Sequence, residues 1–446
     1  MNYNRQILQI ALPSIVSNIT VPLLGLVDVA ITGHMGGASF VAAIAVGGML
    51  FNIIYWLFVF LRMGTSGMTA QALGGRNLTE VAGVLQRAVA VALALSLLLL
   101  CLQVPIRDLS LLLIGASDEV ASLAGTYFNI CVWGAPASLL LFVLNGWFLG
   151  MQNSRAPMAV AIIQNVSNIL CSLVLVYGLG WKIEGVALGT VMAQYIGLLV
   201  ALLLLSRYRR LLRYRPHRLG GMRQFFTLNR DIFLRTLCLI FVHFFFISAG
   251  AEFGDTSLAV NALIMQLFLL YSYIMDGFAF AGEALVGKAI GARAYDALRV
   301  LVRQLFGWGG VMMLLFTLCY FLFDRQILSL LTDEPSVLAA SCEYHPWALL
   351  LPVCGMAAFI WDGIYIGATA TKGMLISMAT GMLVFFALFH VFSPTMGNHA
   401  LWLAFNAYIF TRGMVQTLLY KGGHPNVFSY RVLIILNIVT LQEYLQ

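Results

Sequence analysis

Charge is what this sequence has least of. Of its 446 residues, 10% are Asp, Glu, Lys or Arg and 61% are hydrophobic, with a mean hydropathy of +0.91. An ordinary soluble domain has about a quarter of its residues charged, so that class is excluded. Cysteine is sparse as well. The seven cysteines, at positions 101, 131, 171, 238, 319, 342 and 354, lie mostly inside apolar runs and form no Cys-x-x-Cys pair. Neither a zinc site nor a disulfide framework is expected from them. No His-Glu-x-x-His or Gly-x-Ser-x-Gly motif occurs, so the chain is not read as an enzyme and no cofactor is expected. The first apolar run carries polar residues and no small-residue cleavage site, unlike a secretory signal.

What is present is length without charge. Breaks at charged or Gly/Pro-rich stretches leave twelve apolar segments, at 9–33, 40–66, 82–104, 122–150, 158–178, 184–206, 232–252, 257–281, 299–322, 337–368, 373–393 and 399–420. Each has about 20 residues or more, enough to span a bilayer as a helix. With the N-terminus inside, Arg and Lys collect in the inner loops: Arg76, Arg87 and Arg155; then Lys288, Arg293, Arg299, Arg303, Lys372 and Lys421. The outer loops hold nine of the 18 acids and only Arg107, Lys182 and Arg325 among the bases. Basic residues favour the cytoplasmic side, and an even number of spans then returns both termini there. The expected organisation is a lobe at 1–206, an Arg-rich cytoplasmic linker at 207–230, a second lobe at 231–420 and a cytoplasmic tail at 421–446. The linker has eight arginines and no acid from Arg207 to Arg230, which suits an anchor at the anionic inner leaflet. No aromatic-interleaved module accompanies it, so nucleic acid is not an expected partner.

The two lobes are copies. Shifted by 217 residues, Ala72, Gly74 and Arg76 fall on Ala289, Gly291 and Arg293; Gly146 and Gly150 fall on Gly363 and Gly367; Arg155 falls on Lys372. Six spans per copy insert both copies the same way, a parallel repeat of the kind transporters use for alternating access.

The deepest acid of the first copy is Asp28, the only one between Met1 and Thr79. A carboxylate at mid-bilayer costs about 2.5–3.5 kcal/mol on insertion scales, and residues that bear such a cost usually line an ion or substrate path. Ser14, Asn18, Gly25, Asp28 and Thr32 recur at helical spacings of three and four or their sums, and Pro22 is expected to kink the helix just before Asp28. Asn165, Asn168 and Ser172 share a face of the fifth span; Thr190 and Gln194 share one on the sixth; Asn145 lies on the fourth. Around one carboxylate, such groups can hold a small cation or hydrogen-bond a protonated acid. The second copy differs: Asp362 replaces Asn145, Phe245 replaces Asp28, and Gln266, Tyr273 and Asp276 approach one face of the eighth span, joined by Glu283 if that helix runs longer. His243 lies mid-span on the seventh. Asn145, Gln194, His243, Gln266, Tyr273, Asp276, Glu283 and Asp362 are the expected substrate-cavity residues; Asp28, Asn165, Asn168, Ser172 and Thr190 are the expected coupling residues.

Several motifs together resemble one family. They are Ala11-Leu-Pro-Ser-Ile-Val-Ser-Asn-Ile-Thr-Val-Pro-Leu-Leu-Gly-Leu-Val-Asp28, Ile31-Thr-Gly-His34, Leu61-Arg-Met-Gly-Thr-Ser-Gly-Met-Thr-Ala-Gln-Ala72, Leu228-Asn-Arg-Asp-Ile232, Met275-Asp-Gly-Phe-Ala279, Asp362-Gly with Ile366-Gly-Ala-Thr369, and Gly397-Asn-His-Ala-Leu-Trp-Leu-Ala404. The chain resembles the multidrug and toxic compound extrusion (MATE) transporters, and within them the DinF branch, over about residues 5 to 420. The resemblance implies an all-α membrane protein of twelve transmembrane helices in two pseudo-symmetric six-helix bundles forming a V. It also implies efflux driven by inward H⁺ or Na⁺. Asp28 matches the first-helix coupling acid, Asn168 and Thr190 the polar positions near it, and Asp362 the tenth-helix acid. Ser172 stands where many relatives have a second acid, which favours protons over sodium.

The expected function is therefore secondary active multidrug efflux of bulky, lipophilic, mostly cationic compounds in exchange for protons. The expected partners are drugs or dyes, H⁺ or Na⁺, and the inner-membrane bilayer, for a protein acting as a monomer. The alternatives are Na⁺-coupled efflux and a flippase or exporter of lipid-linked or organic-acid substrates on the same fold.

Overall fold

A computed structural model describes residues 3–33, 38–114, 117–214, 221–329, 331–332 and 334–420. Among them the chain is helical almost throughout. In order the helices are α1 (Tyr3–Gly33), α2 (Ala38–Phe58), α3 (Phe60–Gly74), α4 (Leu78–Cys101), α5 (Gln103–Ile114), α6 (Asp118–Cys131), α7 (Ala135–Gly150), α8 (Arg155–Leu173), α9 (Ile183–Leu205), α10 (Met222–Glu252), α11 (Asp255–Gly291), α12 (Tyr295–Ser329), α13 (Pro335–Gly367), α14 (Thr371–Met396) and α15 (Asn398–Leu419). All twelve apolar segments of the sequence fall in this set. Ten helical stretches among the described residues are long and apolar enough to cross a membrane. With no water in the hydrocarbon layer, a helix satisfies its backbone internally, which is why long apolar runs take this form.

Several helices overrun the apolar segments that announced them. α11 continues to Gly291, so Glu283 lies inside it, and α10 begins at Met222, so the last nine residues of the expected linker are helical. α5 occupies what the sequence marked as an outer loop. α15 is not among the ten apolar stretches, because it carries Asn398, Asn406, Arg412 and Gln416. All four are 5% exposed or less, so its polar side faces protein.

The chain forms two compact units, Leu12–Asn229 and Met1–Ala11 with Arg230–Gln446. Inside each, the repeat reappears atom by atom. α3 ends with Arg76 in the left-handed region (φ 55°), Arg76 N–H donating to Leu73 O at 3.1 Å and Asn77 N–H to Ala72 O at 2.9 Å. α11 ends the same way 217 residues later, with Arg293 (φ 55°), Arg293 N–H to Ile290 O and Ala294 N–H to Ala289 O, both at 2.9 Å. α7 and α13 form a second such pair, closing on Gln152 (φ 65°) and Thr369 (φ 54°). These are Schellman caps, built with side-chain-bearing residues where glycine is usual.

Glycine is spent elsewhere. A Cβ on Gly146 would strike Arg62 O, and one on Gly363 would strike Ala279 O. A Cβ on Gly150 would lie 2.6 Å from Ser66 O, and one on Gly367 would lie 2.6 Å from Glu283 O. The two glycines of each half thus let α7 lie against α3, and α13 against α11, at backbone contact. Small residues one helical turn apart are the usual means of close helix packing in lipid.

Candidate functional site

In the first unit, α8 and α9 are brought together by Gly189, whose Cβ would lie 2.9 Å from Ser172 N. That closeness joins the polar faces that the spacing picked out. Ser172 Oγ–H donates to Asn168 Oδ1 at 3.5 Å, Asn168 Nδ2–H donates to Thr190 Oγ1 at 3.2 Å, and Thr190 Oγ1–H donates to Val186 O at 3.0 Å. Ser172 is fully buried and Asn168 is 2% exposed. The chain is neutral and runs in one direction, ending on a backbone carbonyl that a β-branched hydroxyl caps from one turn away.

Other candidates of this unit carry buried polar atoms that are unmet. Asn165 Nδ2, Asn145 Oδ1 and Gln194 Oε1 have no hydrogen-bond partner among the described residues; Asn165 and Asn145 are half-buried and Gln194 is 7% exposed. Buried amides left unmatched are uncommon and mark places where a further polar group belongs. Asp28 lies on α1, which runs unbroken past Pro13 and Pro22, but its side chain is outside the described residues. Among the described residues no group of three His, Cys, Asp or Glu side chains is placed to hold a metal ion.

The second unit builds something of the opposite character. Gly413 lets α15 meet α13 with a Cβ 2.9 Å from Ala357 Cβ, which sets Arg412 one residue earlier against Asp362. Arg412 Nη2–H donates to Asp362 Oδ2 at 2.8 Å, Gln416 Nε2–H donates to Oδ1 at 2.8 Å, and Arg235 Nη2–H from α10 donates to the same Oδ2. All four residues are buried: Arg235 6%, Asp362 8%, Arg412 5% and Gln416 0% exposed. Asp362 is thus enclosed by two guanidiniums and an amide. Sequence reasoning nominated Asp362 and missed its three partners. The signal was available, since Arg235 and Arg412 lie inside apolar segments where a cation is as costly as an acid.

The remaining candidates differ in exposure. Gln266 is exposed, Tyr273, Asp276 and His243 are half-buried, and Glu283 is 1% exposed. Elsewhere in this unit Asn261 and Asn398 exchange paired amide bonds at 2.8 and 2.9 Å, and Trp402 Nε1–H donates to Asn261 Oδ1 at 2.7 Å, a closed network that ties α11 to α15.

Comparison with known proteins agrees with this architecture. The MatE family model matches residues 13–174 and again 232–391, one copy in each half. The chain is 38% identical over 422 residues to DNA damage-inducible protein F of Escherichia coli (strain K12), spanning 94% of this chain and 92% of that one. It is 21% identical over 354 residues to the probable multidrug resistance protein NorM of Thermotoga maritima, covering 76% and 74% of the two chains. The fold matches the outward-facing conformation of a multidrug resistance MATE family transporter of the MOP superfamily, with a TM-score of 0.86 at 19% identity over 94% of this chain and 95% of that one. With the family model covering both halves and a relative this similar along nearly its whole length, the chain belongs to the MATE family of multi-pass membrane transporters, on the DinF branch.

Proposed function

We propose that this transporter exports lipophilic small molecules in exchange for inward-moving protons, by alternating access, with Asp28 as the coupling acid of the first unit. The observation that carries the reading is the neutral chain Ser172–Asn168–Thr190. Its members are an amide and hydroxyls with no carboxylate among them, and a neutral set of this kind supports protons over sodium, which needs negative charge. An ionised acid only accepts hydrogen bonds, whereas a protonated one also donates. Proton uptake by Asp28 would change what it asks of any amide that meets it, and so bias two arrangements of the unit. One charge moving inward yields about 2.3 kcal/mol per 100 mV, to which a pH gradient adds.

In the same reading both termini face the cytoplasm, residues 207–230 link two lobes there, and the protein works as a monomer. Asp362, expected to line the substrate cavity, has its carboxylate shared by two arginines, and substrate charge is taken up below.

The test is dye efflux from energised vesicles holding wild type, Asp28→Asn or Asp28→Glu, under imposed pH or sodium gradients. Loss of pH-driven efflux in Asp28→Asn and its retention in Asp28→Glu is the expected result. Transport driven by sodium alone, or undiminished by Asp28→Asn, overturns the mechanism.

A further inference from the structure

The cluster on α10, α13 and α15 contains one cation more than it needs. Arg235 from α10 and the Gln416 amide from α15 already tie three helices at Asp362, and one guanidinium balances one carboxylate, yet Arg412 binds Asp362 Oδ2 as well. Burying an ion without a counter-charge costs several kcal/mol, so the second arginine calls for an explanation.

Neighbouring acids do not supply it. Asp231 lies one turn before Arg235, but its Oδ1 accepts from Arg230 at 3.0 Å and its Oδ2 from Thr371 Oγ1 at 3.3 Å. Tyr408, whose ring lies 5.4 Å beneath the Arg412 guanidinium, turns its hydroxyl to Met378 Sδ at 2.8 Å. Arg235 Nε, fully buried, has no hydrogen-bond partner among the described residues. Each guanidinium is a fork of several N–H donors, and here one acid oxygen receives one bond from each. What remains is a buried, donor-rich spot of net positive charge within an apolar bundle. Guanidinium forks in such surroundings are suited to carboxylate, sulfonate and phosphate groups, which they bind through paired bonds.

We propose that Arg235 and Arg412 form an anion-recognition site in the second unit, selecting substrates that carry a carboxylate or sulfonate on an apolar body. Asp362 is its positioning residue: it holds the two guanidiniums side by side and cancels one of their charges, so that a singly charged group neutralises the rest. This inference rests on the reading of the chain as a small-molecule exporter and specifies the charge of what it carries.

The experiment compares two dyes with one xanthene body and opposite charge, carboxyfluorescein and rhodamine 6G. Their binding to the full chain in lipid nanodiscs is read by fluorescence anisotropy against empty nanodiscs. Wild type is expected to bind carboxyfluorescein more tightly than rhodamine 6G. Arg235→Gln, which removes the surplus charge, is expected to weaken carboxyfluorescein at least tenfold and leave rhodamine 6G unweakened. The double variant Arg235→Gln/Asp362→Asn, which restores the original net charge but keeps a single fork, is expected to bind the anion more tightly than Arg235→Gln and more weakly than wild type. Preference for rhodamine 6G in wild type, or equal carboxyfluorescein affinity in folded Arg235→Gln, overturns the site. If Arg235→Gln does not fold, folded Arg235→Lys decides: carboxyfluorescein weakened at least tenfold with the charge kept supports the paired-fork site, and unchanged affinity overturns it. No gradient is involved, so failure of proton coupling in vesicles leaves this result standing, and the converse holds.

Discussion

The two halves of this chain share a skeleton and differ in chemistry. Gly146 and Gly150 do for α7 what Gly363 and Gly367 do for α13, and the caps at Arg76 and Gln152 recur at Arg293 and Thr369. Yet the positions that carry polar side chains have diverged. Asn18, Asn145 and Tyr195 stand 217 residues before Arg235, Asp362 and Arg412. One half keeps neutral groups at the places where the other has assembled an ion cluster. Backbone contact leaves no room to vary, whereas a polar side chain only needs a partner, and partners can be exchanged as a set. The duplication therefore preserved geometry and released charge.

The largest expected effect tests the charge. Asp362→Asn leaves two buried guanidiniums facing each other without an acid, and removing one partner of a buried ion pair costs about 3–5 kcal/mol. Thermal unfolding in detergent should show that loss, with a good part recovered in Arg235→Gln/Asp362→Asn. Asn145→Ala, at the matching place in the first half, should cost far less. Equal costs would mean that the second half does not depend on its ion cluster.

The next tests the shared skeleton. Gly146→Ala and Gly363→Ala each press a methyl into a backbone carbonyl, and overpacking of this kind costs about 1–3 kcal/mol. The two variants should lose comparable amounts. A tolerant half would be one whose helices separate more readily than the repeat implies.

Asn168→Ala removes the middle of the α8–α9 chain and strips partners from Ser172 and Thr190. Lost hydrogen bonds between buried neutral groups are worth about 1 kcal/mol each. The predicted outcome is a destabilisation of about 1–2 kcal/mol, smaller than that of Asp362→Asn. A larger loss would give the neutral half a cluster as demanding as the charged one.

The smallest effect has the opposite sign. Arg76 and Arg293 occupy the left-handed region, where a residue with a Cβ costs about 1 kcal/mol. Arg76→Gly and Arg293→Gly should each raise the unfolding temperature slightly and by similar amounts. A gain in only one half would show that the other arginine has acquired a binding role in its loop.

The skeleton was the legible part of the sequence. Apolar length announced the helices, and the 217-residue register located both glycine pairs and the arginines that turned out to close α3 and α11. The Ser172–Asn168–Thr190 face could also be read, because helical spacing alone puts those groups on facing sides of consecutive helices. The ion cluster could not be read in the same way. Its members come from α10, α13 and α15, 127 and 50 residues apart along the chain, and only packing across Gly413 brings them together. Attention to acids alone hid the arginines, although the cost of burial applies to both signs. Helix ends were blurred for another reason. α11 continues past its apolar stretch to Gly291, where hydropathy drops and the backbone helix does not, whereas α12 loses helical geometry at Phe323, where its apolar stretch ends.

The grouping of Met1–Ala11 with the second unit bears on the order of synthesis. Asn4 Oδ1 accepts a hydrogen bond from Trp308 Nε1 at 3.3 Å, and Ile7 and Ile10 are 0% and 4% exposed. Asn4 is translated 304 residues before the tryptophan that holds it. As the ribosome works through the first half, the tryptophan that holds the opening turn of α1 has not yet been made. The seating of that turn is then a late event in biogenesis, a latch fastened only after α12 has been inserted. A bulky tag placed just ahead of Tyr3 would meet that latch at assembly, long after the first six segments have threaded into the bilayer.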